Sequence, residues 1–229
     1  MNTLLLRLAG PMQSWGTQSR FTDRDAGREP SKSGVVGLLC AALGRPRTEP
    51  VDDLVALRMG VRVDQEGTLL VDYQTAGGGR FRGRPYGVAK ANRGTPETVV
   101  SRRSYLSDAA FLVGLESADG ALLEMLDRAI RQPVWPLFLG RKAFPPGEPV
   151  ALPGSGLRLS LNLATALENE PWRSQGATRF VLEVPPGTSP DQRADQPIGA
   201  AYATRRFTLR SVVTEFRSPP PPAVDQEAS

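Results

Sequence analysis

The sequence predicts an α+β fold, and three observations carry that expectation. Apolar runs with strand character, such as Thr3 to Leu8 and Ala109 to Leu115, alternate with segments whose apolar residues recur at helical spacing. The elements run strand, helix, strand, strand, a long excursion, strand, helix; a further strand over Val134 to Phe138 would complete the split βαβ pattern called ferredoxin-like, which RNA-recognition (RRM-like) modules also use. The chain has 229 residues, enough to bury a core without staples, and its single cysteine, Cys40, permits no disulfide framework.

Thr3 to Leu8 reads as a buried strand that Gly10 and Pro11 end, and a polar loop holding Gln13, Ser14 and Trp15 follows. Ser31 or Ser33 caps a helix to about Leu43, because Val35, Val36, Leu38, Leu39, Ala42 and Leu43 form an apolar face and Gly44 then stops it. Lys32 and the first-turn amides share that N-terminus, where orphan N–H groups and the helix dipole suit a phosphate; capping alone is the commoner role for such serines. A short helical turn is expected over Asp52 to Arg58. Gly60 to Asp64 and Thr68 to Tyr73 then alternate as an antiparallel pair around Gln65, Glu66 and Gly67. Val99 to Glu116 reads as one long or bulged strand, and Asp119 caps an amphipathic helix to about Arg131 with Leu122, Leu123, Leu126 and Ile130 on one side.

Residues 1–150 therefore form the main domain. Beyond it, Gly140 to Pro146 make a basic turn, Leu157 to Leu167 fits helix or strand, and Thr178 to Val184 with Arg206 to Val213 read as strands of a small C-terminal β-sheet region over 151–217. Residues 218–229, with four consecutive prolines followed by acidic and small residues, read as a disordered tail.

Charge is unevenly spread. Residues 72–105 hold seven basic side chains (Arg80, Arg82, Arg84, Lys90, Arg93, Arg102, Arg103) against Asp72 and Glu97, a balance of +5 where the whole chain has +4, so the remainder nets about −1. Tyr73, Phe81, Tyr86 and Tyr105 are interleaved with them, a combination that suits phosphate neutralisation and base stacking on single-stranded nucleic acid. A solvated flexible loop has the same composition, and both readings stay open at this point.

Composition also closes routes. No histidine is present, so imidazole is unavailable as acid, base or ligand; with one cysteine, zinc sites of ordinary type are excluded. Gly77, Gly78 and Gly79 are not followed by the Lys-Ser or Lys-Thr of a phosphate loop, and close carboxylate pairs such as Asp23 with Asp25 and Asp52 with Asp53 fall in loop and helix-start contexts. No cofactor or metal is expected, and the composition argues against catalysis. The apolar runs are far short of a membrane span, the N-terminus lacks a signal-peptide layout, and a cytoplasmic protein is expected. A pI near 9.6 favours an anionic partner; without a basic amphipathic helix or lipidation signal, nucleic acid is favoured over a membrane.

Four separated motifs, LLLRLAGPMQSWG, PSKSGVVGLLCAALG, RRSYLSDAAFLVGL and PLFLGRKAFPP, cover most of residues 1–150 in order and spacing and resemble the CasD family. These are CRISPR-associated proteins of the RAMP superfamily that bind the 5′ handle of crRNA in type I-E Cascade. The resemblance implies a ferredoxin-like RAMP core with a β-hairpin thumb inserted over 72–105, a small C-terminal sheet, and a non-catalytic subunit that grips the 5′ handle and caps the guide-RNA backbone assembly in antiviral defense. It implies the other Cascade subunits, backbone and large, as partners, with target DNA reached indirectly through the guide.

Residue by residue, the resemblance places Arg103 and Tyr105 at the Arg-x-Tyr of the returning thumb strand, Gln13, Ser14 and Trp15 in the loop after the first strand, Lys32 and Ser33 at a basic helix start, and Arg141 with Lys142 in a Gly-Arg-basic turn. Arg102 and the tip residues Arg80, Arg82 and Arg84 are expected as further RNA contacts. Structural alternatives stand beside several of these: Trp15 as a core or interface aromatic, Tyr105 packed beneath the thumb, the tip arginines simply solvated. The runner-up function is a metal-independent endoribonuclease that processes precursor crRNA; by the resemblance such relatives use a tyrosine, a lysine and a histidine, and this chain has no histidine.

Overall fold

A computed structural model describes residues 1–17, 22–90 and 93–220. The elements in order are β1 (Asn2–Gln13), β2 (Asp23–Arg24), α1 (Lys32–Leu43), α2 (Asp52–Val55), β3 (Arg58–Gln65), β4 (Thr68–Ala76), β5 (Arg80–Phe81), β6 (Arg84–Pro85), β7 (Val88–Lys90), β8 (Arg93–Glu97), β9 (Val99–Ser117), α3 (Gly120–Arg131), β10 (Leu157–Arg158), α4 (Leu163–Asn169), β11 (Thr178–Glu183), β12 (Gln192–Pro197), α5 (Ala201–Thr204) and β13 (Phe207–Arg217). One large, nearly all-antiparallel sheet runs β10-β1-β9-β3-β11-β13-β12, with β2 and β4 also paired to β9. Within it, β1-α1-β3 and β9-α3-β10 are two strand–helix–strand halves whose strands lie in the order β10-β1-β9-β3.

The period of two along each strand divides the apolar side chains between the faces of the sheet. Leu4, Leu6 and Leu8 of β1, Phe111, Val113 and Leu115 of β9 and Val181 of β11 point to the face covered by α1 and α3. Leu5, Leu112, Phe180 and Leu182 point to the other, under Leu163, Ala166 and Leu167 of α4. The helix ends follow their residues: the Ser31 hydroxyl accepts from the Gly34 amide at 3.2 Å, Gly44 ends α1 at φ 70°, and the Asp119 carboxylate accepts from the Leu122 amide at 3.0 Å.

Three expectations are corrected. Residues 134–138 do not form the fourth strand. Pro133 and Pro136 supply no amide, and the Val134 and Trp135 amides donate to Ala42 O (3.0 Å) and Ala41 O (3.1 Å), satisfying the last carbonyls of α1. The edge beside β1 is taken instead by β10 and a bridge from Leu6 to Ala151. Secondly, β3 and β4 do not pair with each other: both lie along β9, Arg58–Gln65 against its C-terminal half and Thr68–Ala76 against its N-terminal half. Alternation specifies faces, not partners, and Gly67 lets the two segments follow the same strand, since a Cβ there would stand 2.7 Å from the Ala109 Cβ. Thirdly, the C-terminal strands make no second sheet. β11 pairs with β3, Phe180 opposite Arg62 and Leu182 opposite Gly60, because the outer edge of β3 is buried and its backbone groups need partners. The ambiguous 157–167 stretch divides into β10 and the start of α4. Most of the expected tail, residues 221–229, lies outside the described residues.

Arg62 is fully buried beneath α4. Its guanidinium makes five hydrogen bonds, two to the Asp64 carboxylate (2.6 and 3.3 Å) and three to the carbonyls of Leu167, Glu170 and Pro171 (2.6, 2.7 and 2.9 Å), and it lies 5.0 Å from the Trp172 ring centroid. It thus closes the C-terminal end of α4 while neutralising a buried carboxylate. Arg62→Met is expected to lower stability by about 3–5 kcal/mol, because the Asp64 charge and the three carbonyls would lose their partner without gaining water. Urea unfolding checks this; a change under about 1 kcal/mol would mean that water already reaches Asp64.

Candidate nucleic-acid interface

β4 and the first half of β9 leave the core as a two-stranded ribbon, Thr68–Ala76 against Val99–Ser107. Eight of the nine β4 residues are exposed, so backbone pairing rather than a core orders this arm. The short pairs β5–β6 and β7–β8 extend it. At the β5–β6 turn Arg82 (φ 50°) and Gly83 (φ 77°) are both left-handed, the geometry of a type I′ hairpin turn. Arg80, Arg82 and Arg84 are exposed there; Phe81, 63% exposed, lies 6.4 Å from the Tyr86 ring and 5.4 Å from the Arg82 guanidinium.

Where the arm rejoins the core, successive residues of β9 face opposite ways. Tyr73 stands across from Arg102, and Asp72 across from Arg103. Arg102 is exposed, whereas Arg103 is half-buried with its Nε donating to the Ser101 hydroxyl at 3.0 Å. β2 runs parallel beside this stretch, with Thr22 O accepting from the Arg102 amide at 2.8 Å and Arg24 in register with Arg103. Arg141 completes the group. Burial, then the positive charges of Arg103 and Arg24, push its pKa below the ordinary guanidinium value, while Asp25 and Asp72 act in the opposite sense.

The turn carrying Arg141 and Lys142 is fixed to the core. Gly140 has φ 85°, and a Cβ on it would sit 1.7 Å from Ser14 O, so only glycine fits. The Ser14 amide donates to Leu139 O at 3.1 Å and its hydroxyl to Ser104 O at 3.2 Å, tying the turn to β9. Phe144 is buried behind it, with the Tyr105 ring 6.0 Å and the Arg141 guanidinium 5.7 Å from its ring centre. Tyr105 therefore packs at the base of the arm, the structural alternative considered for it. Lys142 is exposed.

Other expected site residues are placed elsewhere. Gln13 is fully buried, its amide donating to Leu8 O (3.2 Å) and Ala109 O (2.7 Å) and its carbonyl accepting from the Trp15 indole (3.0 Å). Trp15 is a core residue against Gly34, where a Cβ would meet its ring at 2.7 Å. Lys32 is corrected most firmly: only 2% exposed, its ammonium donates to both Glu183 oxygens at 2.8 and 3.0 Å, so it presents no charge at the surface. Ser33 lines a groove and its carbonyl accepts from the Tyr202 hydroxyl at 2.5 Å.

That groove, about 1360 Å³, runs along α1 from Ser33 to Ala41 and on to Arg45 and Arg47, and is lined also by Arg24, Arg141, residues 135–138, Tyr202 and Phe207. Neither it nor Arg24 was found in the sequence, since only pairing of β2 to β9 brings Arg24 beside Arg103. Many arginines outside this region are bound to carboxylates, including Arg131 to Asp127, Arg158 to Glu170, Arg173 to Glu148, Arg179 to Glu29 and Arg210 to Asp195. Arg24, Arg103 and Arg141 reach no carboxylate at ion-pair distance among the described residues. Such a set can neutralise phosphates and hold them in a fixed place. No helix among the described residues is long and apolar enough to cross a membrane.

The family model for CRISPR-associated protein (Cas_Cas5) matches residues 3–213. The CRISPR system Cascade subunit CasD of Escherichia coli (strain K12) is 36% identical, across 65% of this chain and 69% of its own. A crystal structure of a Cas protein is 45% identical with a TM-score of 0.74 and covers 95% of both chains. A chain from a CRISPR RNA-guided surveillance complex is 32% identical with a TM-score of 0.77, covering 94% of this chain and 90% of that one.

The outer arm depends on a close crossing: a Cβ on Gly87 would lie 2.3 Å from Glu97 O, and one on Gly77, at φ 81°, 2.2 Å from the Gly87 Cα. Gly87→Ala is expected to force the outer ribbons apart and speed proteolysis at Arg80–Arg84, while the melting temperature of the core moves by less than about 2 °C. Unchanged cleavage rates would show that the crossing is not what holds the tip.

Proposed function

The chain belongs to the CRISPR-associated Cas5 family, and on that premise we propose that it is a non-catalytic RNA-binding subunit of a Cascade surveillance complex, gripping the 5′ handle of crRNA at the base of the arm. The observation that carries this reading is the convergence of Arg24, Arg103 and Arg141, none at ion-pair distance from a carboxylate among the described residues, in a molecule that pairs many of its other arginines. The β10-β1-β9-β3 core with α1 and α3 is then a ferredoxin-like RAMP domain, and the β4–β9 arm its thumb. Other Cascade subunits, backbone and large, are the protein partners, in the cytoplasm, and target DNA is met only through the guide.

Against the runner-up, processing of precursor crRNA, stands the chemistry available. Of the tyrosine, lysine and histidine that such relatives use, only tyrosine and lysine are on offer here, and those two would have to supply both proton transfers from pKa values far above neutrality. Purified protein is expected to leave precursor crRNA uncut with or without Mg²⁺. Cleavage at one repeat position that survives repurification would overturn the scaffold reading.

Base and tip should fail differently. Arg103 is held by the β9 ladder and by Ser101, so its guanidinium is oriented before RNA arrives, whereas the tip arginines project into solvent. Arg103→Ala is expected to weaken binding of handle RNA by roughly 1–3 kcal/mol and to reduce discrimination against scrambled RNA. Replacing Arg80, Arg82 and Arg84 together by alanine should weaken both RNAs alike and flatten the slope of log affinity against log salt by up to about 2, near 0.7 per single-strand phosphate contact. A salt titration of both variants on both RNAs separates the two; equal losses for Arg103→Ala on both RNAs would make the whole arm an electrostatic clamp.

A further inference from the structure

The far end of the groove holds a tryptophan whose position no packing requirement explains. Trp15 is buried in the core, and Trp172 donates its indole N–H to Glu168 O at 2.9 Å beside Phe180. Trp135 is instead 44% exposed, and its indole N–H has no partner among the described residues. Its backbone is nonetheless rigid: its amide donates to Ala41 O at 3.1 Å, Pro136 follows it, and the preceding Val134 side chain lies so close to Gly44 that a Cβ there would meet it at 2.7 Å.

The floor leading to it is made by Ser33, Gly34, Gly37, Cys40 and Ala41, small residues on one face of α1, and spans about 12 Å from Ser33 to Ala41. Arg45 is held by Asp53 at 2.7 and 2.9 Å, but Arg47, also lining the groove, is exposed and makes no ion pair among the described residues. Arg24, Arg141, Lys142 and Arg47 thus face the groove against one lining carboxylate, Asp25, a balance that favours a polyanion over a protein segment.

We propose that this end of the groove is a base-stacking subsite for single-stranded RNA, with the Trp135 indole as the platform and Arg47 as the adjoining phosphate contact. The inference rests on the RNA-binding reading above and extends the RNA path from the arm base along α1. With the backbone of Trp135 already fixed, only its two side-chain torsions remain to be ordered when a base stacks on the indole, and stacking tolerates any base.

The test uses the full-length chain and a short single-stranded RNA of the repeat-derived 5′ handle, titrated at several salt concentrations. Trp135→Ala is expected to lower affinity roughly five- to hundredfold with an unchanged salt slope, Trp135→Phe to recover most of it, and Arg47→Ala to flatten the slope by about 0.7. RNA should quench indole fluorescence in the parent protein and not in Trp135→Ala, which keeps Trp15 and Trp172. If Trp135→Ala binds within twofold of the parent while Arg103→Ala remains impaired, the subsite is refuted and the RNA-binding reading stands. If the parent itself fails to bind the RNA, both fall. Unchanged RNA affinity with weakened association of a Cascade subunit would refute the subsite in favour of a protein contact.

Discussion

One strand has to satisfy two environments. The C-terminal half of β9, through Phe111, Leu112 and Val113, is buried on both faces between β1 and β3, while its N-terminal half runs between β4 and β2 where β4 has almost nothing to pack on. Because Leu106 and Ala109, three residues apart, both join the core cluster under α1 and α3, the alternation is offset between core and arm at the joint, Asp108. That residue has φ 57°, and its carbonyl accepts from the Gln65 side chain at 2.7 Å. A one-residue slip at this joint would exchange the faces presented by Arg102 and Arg103. Ladder geometry, rather than hydrophobic packing, thus decides which guanidinium stands beside Arg24 and Arg141, and the positive φ at Asp108 is the small local strain that the alignment requires.

Charge is divided by the same fold. At the start of α1, Lys32 binds Glu183, its amide donates to Asp195 at 2.8 Å, and Asp195 holds Arg210 at 2.7 and 3.0 Å, a buried network joining α1 to β11, β12 and β13. Burial pushes the Lys32 pKa down and Glu183 opposes it, so the pairing offsets the desolvation that an isolated buried ammonium would suffer. Arg210 Nη1, 4.0 Å from Glu183, is the buried side-chain nitrogen left without a hydrogen bond among the described residues. Carboxylates drawn into such networks are withdrawn from the surface. The chain's modest net charge of +4 is therefore expressed as a strongly uneven surface.

What could be read in the sequence was what local periodicity controls. The strands expected over Thr3 to Leu8, Thr178 to Val184 and Ala109 to Leu115, the caps at Ser31 and Asp119, and the stop at Gly44 follow from spacing and capping chemistry alone, and the structure has them, though β1 runs on through Gly10 and Pro11 to Gln13 and β11 ends at Glu183. Pairing could not be read, because partners are far apart in the chain: β3 takes β11 and β9 rather than β4, and 134–138 caps α1 instead of extending the sheet. The site divides the same way. A basic, aromatic excursion was visible as composition. Lys32, equally basic, is neutralised by Glu183, 151 residues away, and Arg24 matters only once β2 lies beside β9. Side-chain type gave the chemistry on offer; burial and long-range partners decided which of it reaches solvent.

At the arm tip, weak local terms oppose one another. Type I′ turns favour Asn, Asp or Gly at their first central position because of the left-handed backbone, and Arg82 occupies it here at φ 50°. A side chain with a Cβ costs roughly 1–2 kcal/mol in that conformation. Stacking of the guanidinium on Phe81, at 5.4 Å, returns about 0.5–1 kcal/mol at an exposed site, so the turn is left slightly strained. A charge-assisted contact to a phosphate contributes about 1.5–3 kcal/mol, which exceeds that residue of strain. Local folding preference alone therefore disfavours arginine at the tip, and a bound polyanion reverses the sign, whereas at the arm base Arg103 sits on a regular strand and needs no such compensation.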